Sequence, residues 1–154
     1  MSDAVLDLPA QLADVKAAAE TAGLPYAGGV PPGLAWQLFA DGQAVLVDVR
    51  TAEERKFVGH VPNSLHVPWA TGTALTRNPR FVRELEGKLG GKDTVALLLC
   101  RSGKRSVLAA EAAAKAGFSA VFNVLEGFEG ELDAQQQRGG FDGWRFHGLP
   151  WVQD

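Results

Sequence analysis

One junction constrains the fold of this chain more than any other feature. The run Thr94-Val95-Ala96-Leu97-Leu98-Leu99 passes directly into Cys100, a short charged loop containing Gly103, and an alanine-rich helix expected from about Lys104 to Ala116. A strand this apolar must be covered on both faces, the condition met in a parallel sheet with helical crossovers. The helix that follows has small faces, which allow close approach to such a sheet. Three weaker apolar runs repeat the strand signal, at Ala44–Val47, Ser64–Val67 and Ala120–Val124. Helical spacing appears between them. Leu8, Leu12, Val15 and Ala19 mark a helix over about Pro9–Thr21 that Gly23 stops, and Leu34, Trp36, Leu38 and Phe39 mark a shorter one closed by Asp41-Gly42. Phe81, Leu85 and Leu89 stripe a helix near Pro79–Leu89, which Gly90-Gly91 ends. Thr51 is placed to cap a further helix, with Glu54 three residues on as its capping-box partner. The stretch Gly28–Gly33 reads as a turn or a short extended lead-in. Strands alternating with helices call for an α/β fold with a mostly parallel sheet.

With 154 residues the chain has the size of one domain. Residues 1–29 are expected to form a helical N-terminal extension. Residues 135–154 differ in texture, with a glutamine run, glycines and Pro150, and are expected to dock as irregular chain through Trp144, Phe146 and Trp151. The early acids and the lack of a continuous apolar stretch in the first residues do not read as a signal peptide. No apolar run is long enough for a membrane span.

Composition narrows the chemistry. Lys and Arg total 15 against 18 Asp and Glu, a formal charge of −3, so there is no broad basic footprint for nucleic acid or an anionic membrane. The four tryptophans do not alternate with basic residues, which argues against stacking on bases. A single cysteine excludes a disulfide within the chain and any multi-cysteine metal site, and His60, His66 and His147 lack zinc-ligand spacing. No metal and no cofactor are expected. A lone thiol suits a reducing compartment, here the cytoplasm.

The chemistry is expected in Cys100-Arg101-Ser102-Gly103-Lys104-Arg105-Ser106. Sites in parallel α/β sheets form at the carboxyl ends of strands, where Cys100 stands. Amides of the loop and the first helical turn lack intrahelical partners and can converge on an anion, and the helix dipole favours negative charge at the same point. Gly103 permits a tight curl. With Arg101, Lys104 and Arg105 nearby, a thiol at this place is expected to be shifted toward thiolate. The result is a nucleophile in an anion-binding bowl. Arg101, Ser102, Gly103, Lys104, Arg105 and Ser106 are the candidate substrate-binding residues, with Arg105 where the bowl closes. Ser106 either caps the helix or donates to bound sulfur, and capping is the expected role.

Two enzyme classes use such a loop. Cysteine phosphatases need C-x5-R, and counting from Cys100 that place is Ser106, with Arg105 one residue early. The loop is short for a phosphate. Transfer of sulfane sulfur needs less room: the thiolate takes the outer sulfur as a persulfide and passes it to a second nucleophile.

Here the sequence resembles the single-domain rhodaneses, thiosulfate or related sulfurtransferases. The matching stretches are VLVDVR at 45–50, Glu53-Glu54, GHVPNSLHVP at 59–68, VALLLCRSGKRS at 95–106, NVLEG at 123–127 and GLPW at 148–151. The resemblance implies a rhodanese-like three-layer domain, a central five-stranded parallel sheet with helices on both faces. It implies that Cys100 forms the persulfide and begins a six-residue active loop, one residue shorter than in phosphatase and arsenate-reductase relatives of the same fold. Asp48 and Arg50 resemble the charged pair at the end of an early central strand, so Arg50 is a candidate substrate contact and Asp48 its supporting partner. The implied function is sulfane-sulfur transfer from thiosulfate or a persulfide donor to a thiol or other thiophilic acceptor, small molecule or protein. The alternative is a rhodanese-like regulatory or protein-binding module. Two departures stand out: Glu126-Gly127 replaces a frequent Gly-Gly and is expected to bring a carboxylate near the loop's rim, and Gln135–Gly143 forms an insertion able to wall the pocket or to meet an acceptor protein. His60 reads as a hydrogen-bonded structural residue, His66 as polar face or pocket wall, and His147 carries no message. Glu53, Glu54 and Arg55 read as first-turn helix charges, one of which could pair with Arg105.

Overall fold

A computed structural model describes residues 7–153. In chain order the elements are α1 (Leu8–Ala22), β1 (Gly29–Val30), α2 (Pro32–Ala40), β2 (Val45–Asp48), α3 (Ala52–Phe57), β3 (Leu65–His66), β4 (Ala70–Thr71), β5 (Thr76–Arg77), α4 (Phe81–Leu89), β6 (Ala96–Leu99), α5 (Lys104–Lys115) and β7 (Val121–Val124). Residues 1–6, the start of the expected N-terminal extension, lie outside the described residues.

The central sheet has five strands in the order β1-β7-β6-β2-β3, and every pairing is parallel. β6 lies in the middle, with Val47 beside Leu98 and Leu97 beside Phe122. Side chains alternate across this sheet and divide the interior in two. Val47, Ala96, Leu98 and Val121 pack against α4 and α5 through Phe81, Leu85, Ala109, Ala110 and Ala113. Leu46, Leu97, Leu99, Phe122 and Val124 pack against α1 and α2 through Leu8, Ala35 and Leu38. All four residues of β6 are fully buried, as a strand covered on both faces must be.

The strands and helices read from the sequence are present within one or two residues at each end. The fifth strand is the stretch read as a turn or lead-in: Gly29 and Val30 pair with Asn123 and Val124 at the sheet edge. The sheet therefore begins inside what the sequence suggests is an extension, and α1 closes the second core. The polar stretch after Trp69 holds an unexpected hairpin, β4 against β5. Strands of two residues carry no period to read.

The C-terminal segment is irregular and docks through Trp144 and Trp151, the latter edge-on to the buried Phe128 ring. Trp144 is wholly buried, whereas Phe146 is 47% exposed and Trp151 39% exposed. Trp144 enters the second core edge-on to Trp36 and donates its indole N–H to the Pro150 carbonyl at 2.8 Å. The Phe146 ring meets the neighbouring His147 ring edge-on. Beyond it, Val152 forms an antiparallel bridge with His60. Among the described residues no helix is long and apolar enough to cross a membrane.

Candidate active site

Cys100 follows the last residue of β6, and its side chain is 1% exposed. The loop after it curls because Gly103 takes a left-handed φ of 99°, a region that disfavours a Cβ, and α5 begins at the next residue. That curl turns donors inward. The Gly103 amide points at Cys100 Sγ at 3.1 Å, the Ser106 amide at 3.3 Å, and the Ser106 hydroxyl lies 3.2 Å away. Ser106 Oγ also donates to Asn123 Oδ1 on β7, so sulfur, hydroxyl and amide form a chain of three groups in the buried interior. Ser106 is thus not the helix cap that the sequence suggests; the cap position is Gly103, which has no side chain to offer.

The loop's carbonyls are tied down on the other side. Cys100 O accepts from the Phe128 amide at 2.7 Å, and Arg101 O accepts from the Glu129 and Gly130 amides at 2.9 and 3.1 Å. This contact is close: a Cβ on Gly127 would come within 2.5 Å of the Arg101 carbonyl group and the Ser102 nitrogen, and Gly127 itself has φ 71°. Glycine is required there twice over. With the carbonyls satisfied outward, the amides are left for the sulfur side.

Arg105 is held by α3. Its Nη1 and Nη2 donate to the two oxygens of Glu54 at 2.7 and 2.8 Å, the bidentate geometry of a strong ion pair. Glu54 is placed by its own capping box, in which Thr51 and Glu54 exchange backbone and side-chain hydrogen bonds. Burial alone would push the Glu54 carboxyl up. Hydrogen bonds from Arg105 and Thr51, with the charges of Arg105 and Arg50, outweigh it and hold Glu54 below the ordinary carboxylate range. The same hydrogen bond to Glu54 raises Arg105 against the opposing effect of burial, and the charge of Glu54 adds to it.

Arg50 is not a pocket residue. It is 0% exposed, its Nη2 and Nε donate to Asp48 at 2.7 and 3.0 Å, and Nη2 also reaches Gly59 O at 2.7 Å. Asp48 additionally accepts from Arg55 at 3.0 Å. The Arg50 guanidinium lies 4.2 Å from the ring centroid of Phe128, the residue whose amide holds Cys100 O. The Asp48–Arg50 pair therefore braces the base of the loop from behind. Arg50, the expected substrate contact, is instead a buried brace, because Asp48, Gly59 O and Phe128 hold its guanidinium inward.

Beside the loop is a cleft of about 400 Å³, lined in part by Arg101, Arg105, Glu53, Glu54, Glu129 and Arg138. Lys104 and Ser102 do not line it, and Lys104 is exposed to solvent. The expected cationic bowl is instead a mixed surface, because α3 and the segment after β7 bring carboxylates to face the guanidinium groups. Arg138, from the Gln135–Gly143 insertion, does wall the cleft and is anchored on Gly130 O at 2.8 Å. The Glu126 backbone lies beside Gly103, and its carboxylate engages the C-terminal segment. Its Oε1 accepts from the Gly143 amide at 2.9 Å and meets His147 Nε2 at 2.7 Å, so His147 has a partner the sequence did not suggest. His66 Nε2 lies 2.7 Å from Arg50 O, and the His60 backbone is bridged to Val152.

Asn123 is the site residue the sequence reading missed. Its signal was present: one amide side chain in the otherwise apolar strand Val121-Phe122-Asn123-Val124, 3% exposed. A buried polar group in such a strand needs a partner, and here it is Ser106. Among the described residues no cluster of three His, Cys, Asp or Glu side chains could hold a metal ion.

Residues 31–133 match the rhodanese-like domain family. An uncharacterised protein of Rickettsia prowazekii is 38% identical over 117 residues, covering 74% of this chain and 87% of that protein. Thiosulfate sulfurtransferase 16, a chloroplastic protein of Arabidopsis thaliana, is 29% identical, with 68% of this chain and 76% of that one covered. The crystal structure of Rv0390 from M. tuberculosis superposes with a TM-score of 0.75 at 44% identity, over 84% of this chain and 99% of that one.

Proposed function

This chain belongs to the rhodanese-like domain family, and on that premise we propose that it is a sulfurtransferase, moving sulfane sulfur from thiosulfate or a persulfide donor to a thiophilic acceptor through a persulfide on Cys100. The observation that carries the reading is the pair of backbone amides, Gly103 and Ser106, that donate to Cys100 Sγ, with the Ser106 hydroxyl beside it at 3.2 Å. Donors fixed by the backbone need no reorganisation when charge appears on sulfur. The Arabidopsis relative's name supports the same class of reaction.

The half-reaction with thiosulfate runs as follows. Cys100 thiolate attacks the outer sulfur, a bond forms between the two sulfurs, and the donor's S–S bond breaks, with sulfite leaving on the electron pair. Cys100 then carries –S–S⁻, whose terminal charge can take hydrogen bonds from the loop. An acceptor thiolate or cyanide attacks the terminal sulfur, and Cys100 thiolate departs. The Ser106 hydroxyl can turn between Asn123 Oδ1 and sulfur, donating to the amide while sulfur is protonated and to sulfur while it is charged. No second thiol is needed.

Intact-protein mass after brief incubation with thiosulfate or a hydropersulfide tests the reading. A gain of one sulfur atom, about 32 Da, is expected in the native protein, absent from Cys100→Ser and released by cyanide or a thiol. Cys100→Ser is expected to keep the fold, because oxygen for sulfur nearly conserves shape. Failure of every donor on folded protein with a reactive thiol would turn the assignment to a protein-binding module.

A further inference from the structure

Asn123 stands in β7 between two parallel neighbours, with Gly29 beside it on one side and Leu98 on the other. Its backbone N–H donates to Gly28 O at 2.9 Å, which fixes the main chain there. Alternation along the strand turns its side chain to the same face as Val121, the face that α5 covers. On that face it meets Ser106 in the first turn of α5, and Oδ1 accepts the hydrogen bond of the Ser106 hydroxyl. An apolar side chain would fill this buried place without a desolvation penalty. What the amide adds is a partner for a hydroxyl with one proton and two acceptors in reach, Asn123 Oδ1 and Cys100 Sγ at 3.2 Å. When Ser106 turns its proton to a charged sulfur, Oδ1 is left buried without a donor. A half-turn of the amide removes that loss, because Oδ1 and Nδ2 exchange places in nearly the same shape. Nδ2 lies on the Gly103 side, 4.0 Å from the point where a Cβ on Gly103 would stand. The Val124 carbonyl oxygen and the Glu126 amide nitrogen border the same point at 3.8 and 3.6 Å, an acceptor and a donor that suit either end of the amide.

Resting on the sulfurtransferase reading above, we propose that Asn123 is a positioning residue for sulfur transfer: its amide turns with the charge on Cys100 Sγ and sets the direction of the Ser106 proton. With sulfur protonated, Sγ–H donates to Ser106 Oγ and the hydroxyl donates to Asn123 Oδ1. With sulfur as thiolate, as it attacks the donor and again as it leaves toward the acceptor, the chain reverses. Nδ2–H then donates to Oγ, and the hydroxyl donates to sulfur. Serine and amide keep their own protons throughout, and only the direction of the hydrogen bonds changes. Each donor polarises the next in a buried chain, so the amide strengthens the bond that Ser106 makes to the charged sulfur. Asn123 touches no reacting atom and acts on the rate through Ser106 alone.

The experiment is a double-mutant cycle read by single-turnover sulfur loading from thiosulfate on intact protein. Asn123→Leu is expected to slow loading at saturating thiosulfate about tenfold and to leave the half-saturating concentration unchanged. Ser106→Ala is expected to slow it further, and adding Asn123→Leu to Ser106→Ala to change nothing more, because the amide has no other route to sulfur. Native-rate loading by Asn123→Leu, or losses that multiply in the double variant, would overturn the inference. A second measurement needs only the native side chain, so it holds even where the leucine variant does not fold. One Nδ2 proton resonance of Asn123 is expected to move downfield as rising pH ionises Cys100, and to stay in place in Cys100→Ser and in Ser106→Ala. A native resonance that does not move, or that moves as far without the serine, would equally overturn the inference. Each of these results leaves a loaded Cys100 and the sulfurtransferase reading intact. Native protein that takes up no sulfur from thiosulfate or a hydropersulfide would overturn that reading, and the amide resonance then decides the relay by itself.

Discussion

The Ser106 hydroxyl touches both the sulfur and the buried Asn123 amide behind it. Removing it in Ser106→Ala takes a hydrogen bond from Cys100 Sγ and leaves Asn123 Oδ1 buried without a donor. The stranded amide oxygen is expected to cost about 1 to 3 kcal/mol of stability, read by urea unfolding, and sulfur loading is expected to slow about 10- to 100-fold. Loading at the native rate would show that the two amides suffice. Glu54 gives a prediction in pH. Its carboxyl is held low in the folded protein, so its contribution to stability is complete above the ordinary carboxylate range and is lost as pH falls through the lowered value. Glu54→Gln is therefore expected to lower stability near neutral pH and to flatten the acid side of the stability profile. A variant with the same acid slope as the native protein would mean that the ion pair does not survive in solution.

At the scale of elements, the turn after β7 matters as much as the loop it holds. Gly127→Ala drives a methyl group into the Arg101 backbone and asks alanine to adopt φ 71°. About 2 to 4 kcal/mol of stability is expected to go, and sulfur loading with it, because the Arg101 carbonyl can no longer meet the Glu129 and Gly130 amides. Unchanged melting and loading would show that this turn shifts freely. The same region marks the limit of what the sequence made legible. Val95–Leu99, the Thr51–Glu54 box and the glycine stops are local signals, read within a few residues, and those elements stand where they were expected. Gly29–Val30 becomes a strand only because β7 lies beside it, and Asn123 becomes a site residue only because Ser106 faces it from α5. Arg50 shows the same limit from the other side. Its place at the end of β2 is written in sequence, but the direction of its side chain is set by Asp48, Gly59 O and Phe128, which come from three separate segments.

On the scale of the whole molecule, the sheet separates two cores, and Trp144 joins the C-terminal segment to one of them. Trp144→Ala is expected to cost about 3 to 5 kcal/mol in denaturant unfolding, through lost burial and the abandoned Pro150 carbonyl. A smaller loss would place the hold on this segment elsewhere, for instance in the His60–Val152 bridge. The segment that runs from the end of β7 into this tail has two faces with separate duties. Its backbone amides at Phe128, Glu129 and Gly130 fix the loop around Cys100; the Glu129 amide does so whatever side chain that position carries, save proline, whereas Gly130, at φ 87° and pressed against the Asp142 backbone, must stay glycine. The side chains of Glu129 and Arg138 look instead into the cleft. The brace of the Cys100 loop and the lining of the cleft thus share a stretch of chain without sharing atoms. A small library at positions 129 and 138 is expected to change what the cleft admits while the hydrogen bonds that hold the Cys100 loop stay in place.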